Sequence, residues 1–309
     1  MKRWIIALAT VMGCVYVAGI HAQPAKSKRI NRAIELLEQG QPIYYTGSHE
    51  GTDGNFEQGV KDAQTYADYI SYDMEHAPFD VKGLGDYMRG LAKGGPTKSG
   101  HLTPAVIVNV PVNGTDEATV RANAWMFHQV LATGVHGILL CHADAPGAVR
   151  AFVEAVRFPA NGGRRGVHGN STAGRIWGIT ADEYGEKADV WPLNPQGEVF
   201  CILQIEDTRG VENLDDMLKN VPGIGAILIG EGDLSQELGY PRQYEHKVVL
   251  EWMKRIVDTC KKHNVVVGHP HVESGNAERI VKEGYRFLMA APVQSYGHLE
   301  AARKFTGRT

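Results

Sequence analysis

The sequence predicts a single α/β domain folded as a (β/α)8 TIM barrel. Its 309 residues, 43% of them hydrophobic and 22% charged, are enough for one large domain of barrel size. Short apolar runs alternate along the chain with segments of helical period, which is the pattern of a parallel sheet built from strand-helix-strand units. Eight such runs occur, and a closed barrel of eight parallel strands uses all of them.

The predicted strands are apolar on both faces, as parallel strands covered by helices are. They span residues 43–46, 69–74, 105–111, 137–142, 199–206, 226–230, 265–268 and 286–290. The clearest helical segments are residues 31–39, 116–133, 145–156, 212–219, 244–263 and 277–283. Two stretches, residues 90–103 and 159–175, show neither period, and loops of that length are more often functional lids than spacers.

The N-terminus has the pattern of a secretory signal peptide. Lys2 and Arg3 precede an apolar stretch at residues 4–20, and Ala22 offers a small-residue cleavage site. We predict a signal peptide over residues 1–22, a linker and short helix over 23–40, and the barrel over 41–309. The protein is then periplasmic or secreted, and cleavage is favoured over lipidation at Cys14 because apolar residues continue beyond that cysteine. No later segment is apolar and long enough for a membrane span.

Charge and cysteine content exclude two classes of protein. A net charge of −3 and a pI near 6.5 provide no basic surface for nucleic acid or an anionic membrane. The expected partners are a small-molecule substrate and other copies of the chain. Cys141, Cys201 and Cys260 have no short paired spacing, so the domain is not a disulfide scaffold.

Polar residues lie where the predicted strands end, and in a parallel barrel these ends meet at one mouth. In chain order they are Asp73, Glu75, His76, Asn109, Asn113, His142, Asp144, Gln204, Glu206, Glu231, Asp233, His269 and His271. We therefore expect a ring of titratable and polar groups around one opening of the barrel.

Glu206 and Asp233 are predicted to share a divalent metal ion. Burying both without a cation would cost several kcal/mol through desolvation and repulsion, unless one of them took up a proton. Two oxygen ligands without cysteine suit Mg2+ or Mn2+ best, and Co2+ or Zn2+ less well. The residues alone leave other roles open: Asp233 would also suit the cap of a helix beginning near Leu234, and Glu206 an ion pair with Arg209.

Glycines and histidines near these carboxylates are further candidates. Gly230 and Gly232 flank a turn that enters a helix, where backbone N–H groups bind anions, although both glycines would also serve the turn alone. His76 has acidic neighbours that would orient its ring for general acid or base catalysis, whereas a lone histidine is more often structural. His269 and His271 flank Pro270 and point the same way, either into a site or into solvent.

Four motifs together resemble the HpcH/HpaI aldolase family. They are Asp73-Met74-Glu75-His76-Ala77-Pro78, Arg165-Gly166-Val167, Gln204-Ile205-Glu206 and Gly230-Glu231-Gly232-Asp233-Leu234-Ser235, within a resemblance that extends over residues 43–305. The resemblance implies a (β/α)8 barrel that uses a divalent metal to cleave a hydroxy-oxo acid into pyruvate, or a related 2-oxo acid, and an aldehyde. It also implies a homo-oligomer, with a hexamer built from dimers as the family's assembly.

The resemblance also implies roles for individual residues. Glu206 and Asp233 would be the metal ligands, and His76 the acid/base group. Gln204 would be a polar contact near the ligand, and the backbone after Gly230 would hold the substrate carboxylate. We group Asp73 with His76 and Gln204 as candidate catalytic residues.

The chain departs from the family pattern near the predicted site. Asn109 stands where the family has an arginine, and a neutral amide does not fully replace a fixed cation. Ala132 stands where the family has an aspartate, and Glu231-Gly232 replaces Pro-Ala. Asn109 is thus a candidate substrate contact together with Gly230, Glu231 and Gly232. The candidate compensating groups are His142, His269, His271 and an arginine of the 162–165 loop.

These departures keep two alternatives open. One is an exported metal-dependent lyase or hydrolase that acts on a different carboxylic acid through the additional histidines. The other is a ligand-binding protein without activity on an aldolase scaffold. Turnover of a 2-oxo acid excludes the second, and dependence on His269 and His271 rather than His76 favours the first.

Overall fold

Eight parallel strands close into a barrel in the computed structural model, which describes residues 29–46, 54–290 and 297–308. The strands are β1 (Ile43–Thr46), β2 (Tyr69–Asp73), β3 (Ala105–Asn113), β4 (Gly137–Cys141), β5 (Val190–Trp191), β6 (Val199–Ile205), β7 (Ala226–Ile229), β8 (Val266–His269) and β9 (Phe287–Met289). Pairing of β9 with β1 and of β4 with β6 closes the ring, while the two-residue β5 is an additional strand at the start of β6.

Helices cover the outside of this ring. In the described ranges they are α1 (Arg32–Glu38), α2 (Phe56–Asp62), α3 (Val81–Gly94), α4 (Glu117–Ala122), α5 (Ala124–Ala132), α6 (Pro146–Val156), α7 (Asn170–Trp177), α8 (Ala181–Lys187), α9 (Thr208–Asn220), α10 (Glu231–Glu237), α11 (Lys247–His263), α12 (Ala277–Glu283) and α13 (Glu300–Phe305). Two single 3-10 turns add Pro159–Asn161 and Gly297–Leu299. None of the helices described here has the length and apolarity that crossing a membrane requires.

The barrel is filled by side chains and closed at one end by α1. Alternate strand residues such as Tyr45, Tyr69 and Phe287 point inward, where the rings of Tyr45 and Tyr69 stack 4.7 Å apart. Ile34 of α1 belongs to the same apolar cluster. Asn31 caps α1 and donates to the carbonyls before β4 and β6, so this helix covers the amino ends of the strands. The opposite, carboxyl-end face is the mouth.

The predicted barrel and its eight strands are confirmed, with strand ends that differ by at most two residues. The single helix predicted over residues 116–133 is wrong, because α4 ends at Ala122 and Asn123 separates it from α5. The side-chain amide of Asn123 donates to the Thr119 carbonyl at 2.9 Å and so caps the end of α4. The 90–103 stretch begins inside α3, and the 159–175 stretch ends in α7. The predicted signal peptide lies outside the described residues, and the domain boundaries stay a prediction.

Candidate active site

Glu206 lies at the mouth directly after β6, with only 2% of its side chain exposed. Its Oε1 accepts a hydrogen bond from the backbone N–H of His142 at 2.6 Å, and its Oε2 accepts one from Nε2 of Gln204 at 2.9 Å. Burial raises the pKa of Glu206 to about 8, and the charges of Glu75 and Asp233 add to the rise while the two hydrogen bonds oppose it. The structure thus holds a carboxylate firmly in place where its charge is unfavourable.

His142, Glu206 and Asp233 converge at one point of the mouth. Each offers one potential ligand atom, and these atoms all lie within 4.8 Å of one another. The Nδ1 atom of His142 is 3.4 Å from Oε1 of Glu206, and His142 itself has a φ of 45°. A non-glycine residue in the left-handed region is strained, and such strain clusters at functional sites.

The two structural roles left open for the carboxylates are wrong. The helix α10 begins at Glu231 with Gly230 as its N-cap, so Asp233 lies in the first turn and is exposed rather than capping the helix. Arg209 pairs instead with Asp144, at 3.4 Å. Both carboxylates are therefore available at the mouth.

This donor set fits a divalent cation. The buried Glu206 accepts hydrogen bonds from uncharged donors, and two further carboxylates, Glu75 and Asp233, act on it electrostatically. A cation would remove the penalty that raises the pKa of Glu206, and oxygen ligands with one imidazole suit Mg2+, Mn2+ and their neighbours. Glu206 and Asp233 would hold the ion. His142 is a third candidate ligand, whereas the sequence analysis predicts it only as a possible compensating group at the mouth.

Asp73 and His76 form a hydrogen-bonded pair at the same mouth. Asp73 is buried at the end of β2, and its Oδ2 lies 2.8 Å from Nδ1 of the half-exposed His76. Its Oδ1 accepts from the backbone N–H of Glu75 at 2.8 Å, which fixes the turn. Burial lowers the pKa of His76, but the hydrogen bond and charge of Asp73, with the charges of Glu75 and Asp233, outweigh it, so the pKa is raised. The bond to Asp73 engages Nδ1, so Nε2 is the ring nitrogen available for proton transfer.

Glu75 connects the two groups. The sequence predicts it as a member of the polar ring at the mouth but assigns it no catalytic or ligand role. Its Oε2 accepts from the thiol of Cys141 at 2.8 Å, and its Oε1 is 3.8 Å from Nε2 of His142. Asp73, Glu75 and His76 also bring potential ligand atoms within 4.8 Å of one another. The alternation of polar residues after β2 is the pattern that points to Glu75.

The structure places the predicted compensating arginines away from this site. Arg165 is buried, donates to the Tyr184 hydroxyl at 2.7 Å and lies over the Phe158 ring at 4.7 Å. Arg164 bonds Glu154 at 3.2 Å. The suggestion that either brings a guanidinium to the mouth of its own chain is therefore wrong. Asn109, 9% exposed, pairs across the sheet with Asp73 and thus lies at the mouth.

Glu231, His269 and His271 meet at the start of α10, the helix that also carries the candidate ligand Asp233. The carboxylate of Glu231 is 1% exposed and bonds Nδ1 of His271. His269 is 6% exposed; its Nδ1 accepts from the backbone N–H of His271 at 3.2 Å, and burial lowers its pKa despite the charge of Glu231. Glu231, predicted as a substrate contact, is thus shielded by the histidines.

Gly230 is needed because Glu206 passes directly against it. A Cβ atom at residue 230 would lie 2.3 Å from Cβ of Glu206 and 2.7 Å from its Oε2, whereas one at Gly232 meets nothing within 4 Å. We expect Gly230→Ala to displace the carboxylate, lowering the melting temperature and weakening Mn2+ binding about tenfold or more. Gly232→Ala is the matched control, for which both measurements should stay near wild type. Equal effects of the two substitutions would contradict this packing.

The buried Glu206 also predicts a pH dependence for the metal-free protein. Its pKa is about 8 when folded and near 4.5 when unfolded, so the folded state binds more protons between these values. The free energy of unfolding should therefore fall as pH rises from 4.5 to 8, by on the order of 1 kcal/mol per pH unit. Denaturation in EDTA tests this as the difference between wild type and Glu206→Gln. A difference that does not change with pH would contradict it.

Proteins similar to this chain are aldolases, in agreement with the geometry of the mouth. The family model described as HpcH/HpaI aldolase/citrate lyase matches residues 57–292. A hydroxypyruvate/pyruvate aldolase of Roseobacter denitrificans is 31% identical over 229 residues, covering 72% of this chain and 77% of that protein. A 2-keto-3-deoxy-L-rhamnonate aldolase of Klebsiella pneumoniae is 28% identical over 221 residues, covering 72% of this chain and 73% of that protein.

A solved structure agrees on the fold. The crystal structure of an HpcH/HpaI aldolase/citrate lyase family protein from Burkholderia cenocepacia matches with a TM-score of 0.66 at 24% sequence identity. The match covers 81% of this chain and 88% of that one. At this identity the likeness concerns the barrel fold alone.

Proposed function

The chain belongs to the HpcH/HpaI aldolase/citrate lyase family, and from that premise we propose the reaction of this barrel: metal-dependent cleavage of a hydroxy-oxo acid into a 2-oxo acid and an aldehyde. The resemblance noted from the four sequence motifs is thereby confirmed. Family membership and the named relatives make the protein a lyase of the class II aldolase type. The observation that carries the proposal is the convergence of His142, Glu206 and Asp233 within 4.8 Å, at the same mouth as the Asp73–His76 pair.

Each site residue has a role that follows from its surroundings. Glu206 and Asp233 hold the ion, for which Mg2+ or Mn2+ is our choice because both ligands are carboxylate oxygens. When bound, the ion supplies Lewis-acid polarisation of a substrate oxygen. Gln204 fixes Glu206 through the 2.9 Å hydrogen bond, and the backbone between Gly230 and Gly232 offers N–H groups to the substrate carboxylate.

His76 is the group that moves a proton. Asp73 holds Nδ1, so Nε2 faces the substrate and accepts the proton of the hydroxyl next to the bond that breaks. The electron pair of that carbon-carbon bond passes into the 2-oxo acid fragment, and the hydroxyl carbon leaves as the aldehyde. Protonation of the fragment's carbon then completes pyruvate or its homologue. Asn109 offers one amide donor where the family pattern has an arginine, so this mouth has one fixed cation fewer.

The proposal is tested with metal-depleted protein to which Mg2+, Mn2+, Co2+ or Zn2+ is returned. We expect metal-dependent exchange of the methyl protons of pyruvate with deuterium, followed by NMR, and release of a 2-oxo acid from hydroxy-oxo acids. Exchange needs only the 2-oxo acid half of the reaction, so it does not depend on knowing the aldehyde. Absence of exchange with all four ions would contradict the proposal.

The alternatives from the sequence receive less support. His269 is buried and its Nδ1 is occupied, so a hydrolase or lyase that uses it directly on substrate does not fit. A binding protein without activity would not need the Asp73–His76 pair, which positions a proton-transfer group beside the proposed metal ligands.

We further propose that the protein is exported and assembles as a homo-oligomer. Export rests on the predicted signal peptide of residues 1–22, and assembly on the resemblance to the family. Mass spectrometry of protein from a periplasmic extract would show whether the mature chain begins after Ala22. Light scattering would show whether it is larger than a monomer.

A further inference from the structure

The two ring nitrogens of His142 face two different carboxylates at the mouth. We propose that His142 is a third protein ligand of the metal ion and that Glu75 orients its ring, so that the site binds Mn2+ and the heavier first-row ions in preference to Mg2+. The inference rests on the proposed function, and it specifies which ion that function uses. Two carboxylate ligands alone do not make this distinction.

The backbone conformation of His142 brings its ring to Glu206. The φ of 45° lies in the left-handed region, which histidine enters more readily than most residues but which still costs free energy. In this conformation the backbone N–H donates to Oε1 of Glu206 at 2.6 Å, and Nδ1 of the ring lies 3.4 Å from the same oxygen. One residue therefore anchors the buried carboxylate and also places a nitrogen beside it.

The spacing of these atoms suits two ligands of one ion. Bonds of about 2.1 Å place neighbouring ligand atoms roughly 3.0 Å apart at an octahedral angle and roughly 3.4 Å apart at a tetrahedral one. The observed 3.4 Å between Nδ1 and Oε1 lies in this range, whereas a charged N–H···O hydrogen bond would measure about 2.7 to 2.9 Å. Asp233 joins His142 and Glu206 in a group whose ligand atoms all lie within 4.8 Å of one another.

Glu75 stands on the other side of the ring, where a histidine ligand commonly has support. Histidines that bind metals present the N–H of their second nitrogen to a carboxylate or a carbonyl, which fixes the ring. Nε2 of His142 lies 3.8 Å from Oε1 of Glu75, slightly beyond hydrogen-bond distance. The other oxygen of Glu75 accepts from the buried thiol of Cys141 at 2.8 Å, so this carboxylate is itself held in place. Carboxylate, imidazole and candidate ligand oxygen thus follow one another in the order that such a support requires.

An imidazole ligand changes which ion the site prefers. Mg2+ binds oxygen ligands and gives up its waters reluctantly, whereas Mn2+, Co2+ and Zn2+ also bind imidazole nitrogen. A pair of carboxylates such as Glu206 and Asp233 accepts Mg2+ and Mn2+ alike. Addition of Nδ1 of His142 favours Mn2+ over Mg2+, because the nitrogen strengthens binding of the first ion more than of the second.

The test measures metal binding rather than activity. Electron spin echo spectroscopy of Mn2+ bound to wild type should show coupling to a nitrogen nucleus, and the coupling should change when histidine is labelled with 15N. His142→Asn should remove this coupling while keeping the backbone, since asparagine tolerates the left-handed region. His76→Asn is the matched control and should retain the coupling. In competition titrations, His142→Asn should lower the Mn2+ affinity about a hundredfold and the ratio of Mn2+ to Mg2+ affinity about tenfold or more.

Glu75→Gln separates orientation of the ring from the charge of the carboxylate. Loss of a negative charge near the site weakens Mn2+ and Mg2+ binding alike, whereas a less well oriented imidazole weakens Mn2+ binding in particular. We expect the Mn2+ affinity of Glu75→Gln to fall about tenfold or more, with a lower ratio of Mn2+ to Mg2+ affinity than in wild type. An unchanged ratio would contradict the role of Glu75 as a positioning residue.

Bound Mn2+ without nitrogen coupling, or coupling that persists in His142→Asn, would overturn the inference. The labelled wild type decides the first of these points even where a variant fails to fold. Pyruvate proton exchange separates this failure from failure of the proposed function. If wild type catalyses exchange with Mn2+ but shows no nitrogen coupling, it is the role of His142 that fails. If wild type shows no exchange with any metal ion, it is the aldolase proposal that fails, whichever residues hold the ion.

Discussion

Glu206→Gln is expected to weaken Mn2+ binding more than about a hundredfold and to remove aldol cleavage. The substitution keeps the shape of the side chain and an oxygen that accepts from the His142 N–H, and it removes the charge that the cation requires. It also places an amide NH2 where Oε2 accepts from Gln204, so that one hydrogen bond is lost unless the Gln204 amide turns over. Loss of groups that merely orient ligands already costs about 10 to 100-fold in metal affinity, so loss of a ligand charge should cost more. Isothermal titration of the metal-free protein with Mn2+ measures the affinity.

The same variant should be more stable than wild type when both lack metal. Near neutral pH, wild type without metal must either bury a charged carboxylate or take up a proton on folding, and both cost stability, whereas a glutamine in that place does neither. Opposite changes in metal affinity and metal-free stability distinguish a ligand from a structural residue. The control is Glu251→Gln, since Glu251 is 61% exposed on α11. Unchanged Mn2+ affinity in Glu206→Gln would contradict the assignment of this ligand.

His76→Asn is expected to lower kcat about 10^2 to 10^4-fold while leaving Mn2+ affinity within a fewfold of wild type. His76 contacts Asp73 and Glu75 rather than Glu206 or Asp233, the two proposed ligands, so its removal should affect proton transfer more than metal binding. A parallel loss of metal affinity would indicate that His76 acts as a ligand instead. Stopped assays of 2-oxo acid release, at saturating metal, measure the effect.

Asp73→Asn provides the companion measurement. The charge of Asp73 raises the pKa of His76, so its removal should lower that pKa. The form of His76 that accepts a proton is the neutral one, and it then persists to lower pH. The acidic limb of the kcat profile should therefore move to lower pH, with a lower plateau because the ring is less well oriented. If the acidic limb of the kcat profile does not move in Asp73→Asn, the group that titrates in that limb is not His76.

The sequence predicts much of this site because strand register is simple in a parallel barrel. Glu206 and Asp233 follow β6 and β7, and the pairing of Ile205 with Ile229 brings the two strand ends side by side. Asp73 and Asn109 are paired in the same way across β2 and β3. Residues at the carboxyl ends of adjacent strands lie close together regardless of how much chain separates them. The ring of polar residues can therefore be predicted from the sequence.

Contacts that depend on side-chain direction were not predictable. From the sequence, Glu231 and Asp233 are both acidic residues that follow β7, and nothing indicates which one faces the mouth. In the structure Glu231 is buried against His271, and Asp233 is exposed at the mouth. Arg165 belongs to a family motif, and only the folded loop shows that its guanidinium is enclosed by aromatic rings. Periodicity indicates which element a residue belongs to, whereas these outcomes depend on the neighbours it meets.

The missed helices α2 and α3 have a physical reason. Glycine has a low helix propensity, and α3, with the sequence VKGLGDYMRGLAKG, contains four glycines. Two glycines let the helices touch: a Cβ at Gly90 would lie 2.1 Å from the Phe56 carbonyl, and one at Gly59 would lie 2.2 Å from that of Tyr87. Residues that weaken each helix locally thus permit the contact that stabilises both.

The most direct test of the shared metal site is an anomalous difference map from a crystal grown with Mn2+. We predict one strong peak between the carboxylates of Glu206 and Asp233, within ligand distance of both. The structure offers a competing group in Asp73, Glu75 and His76, whose potential ligand atoms also lie within 4.8 Å of one another. A peak on that group, or no peak beside Glu206, would contradict the account.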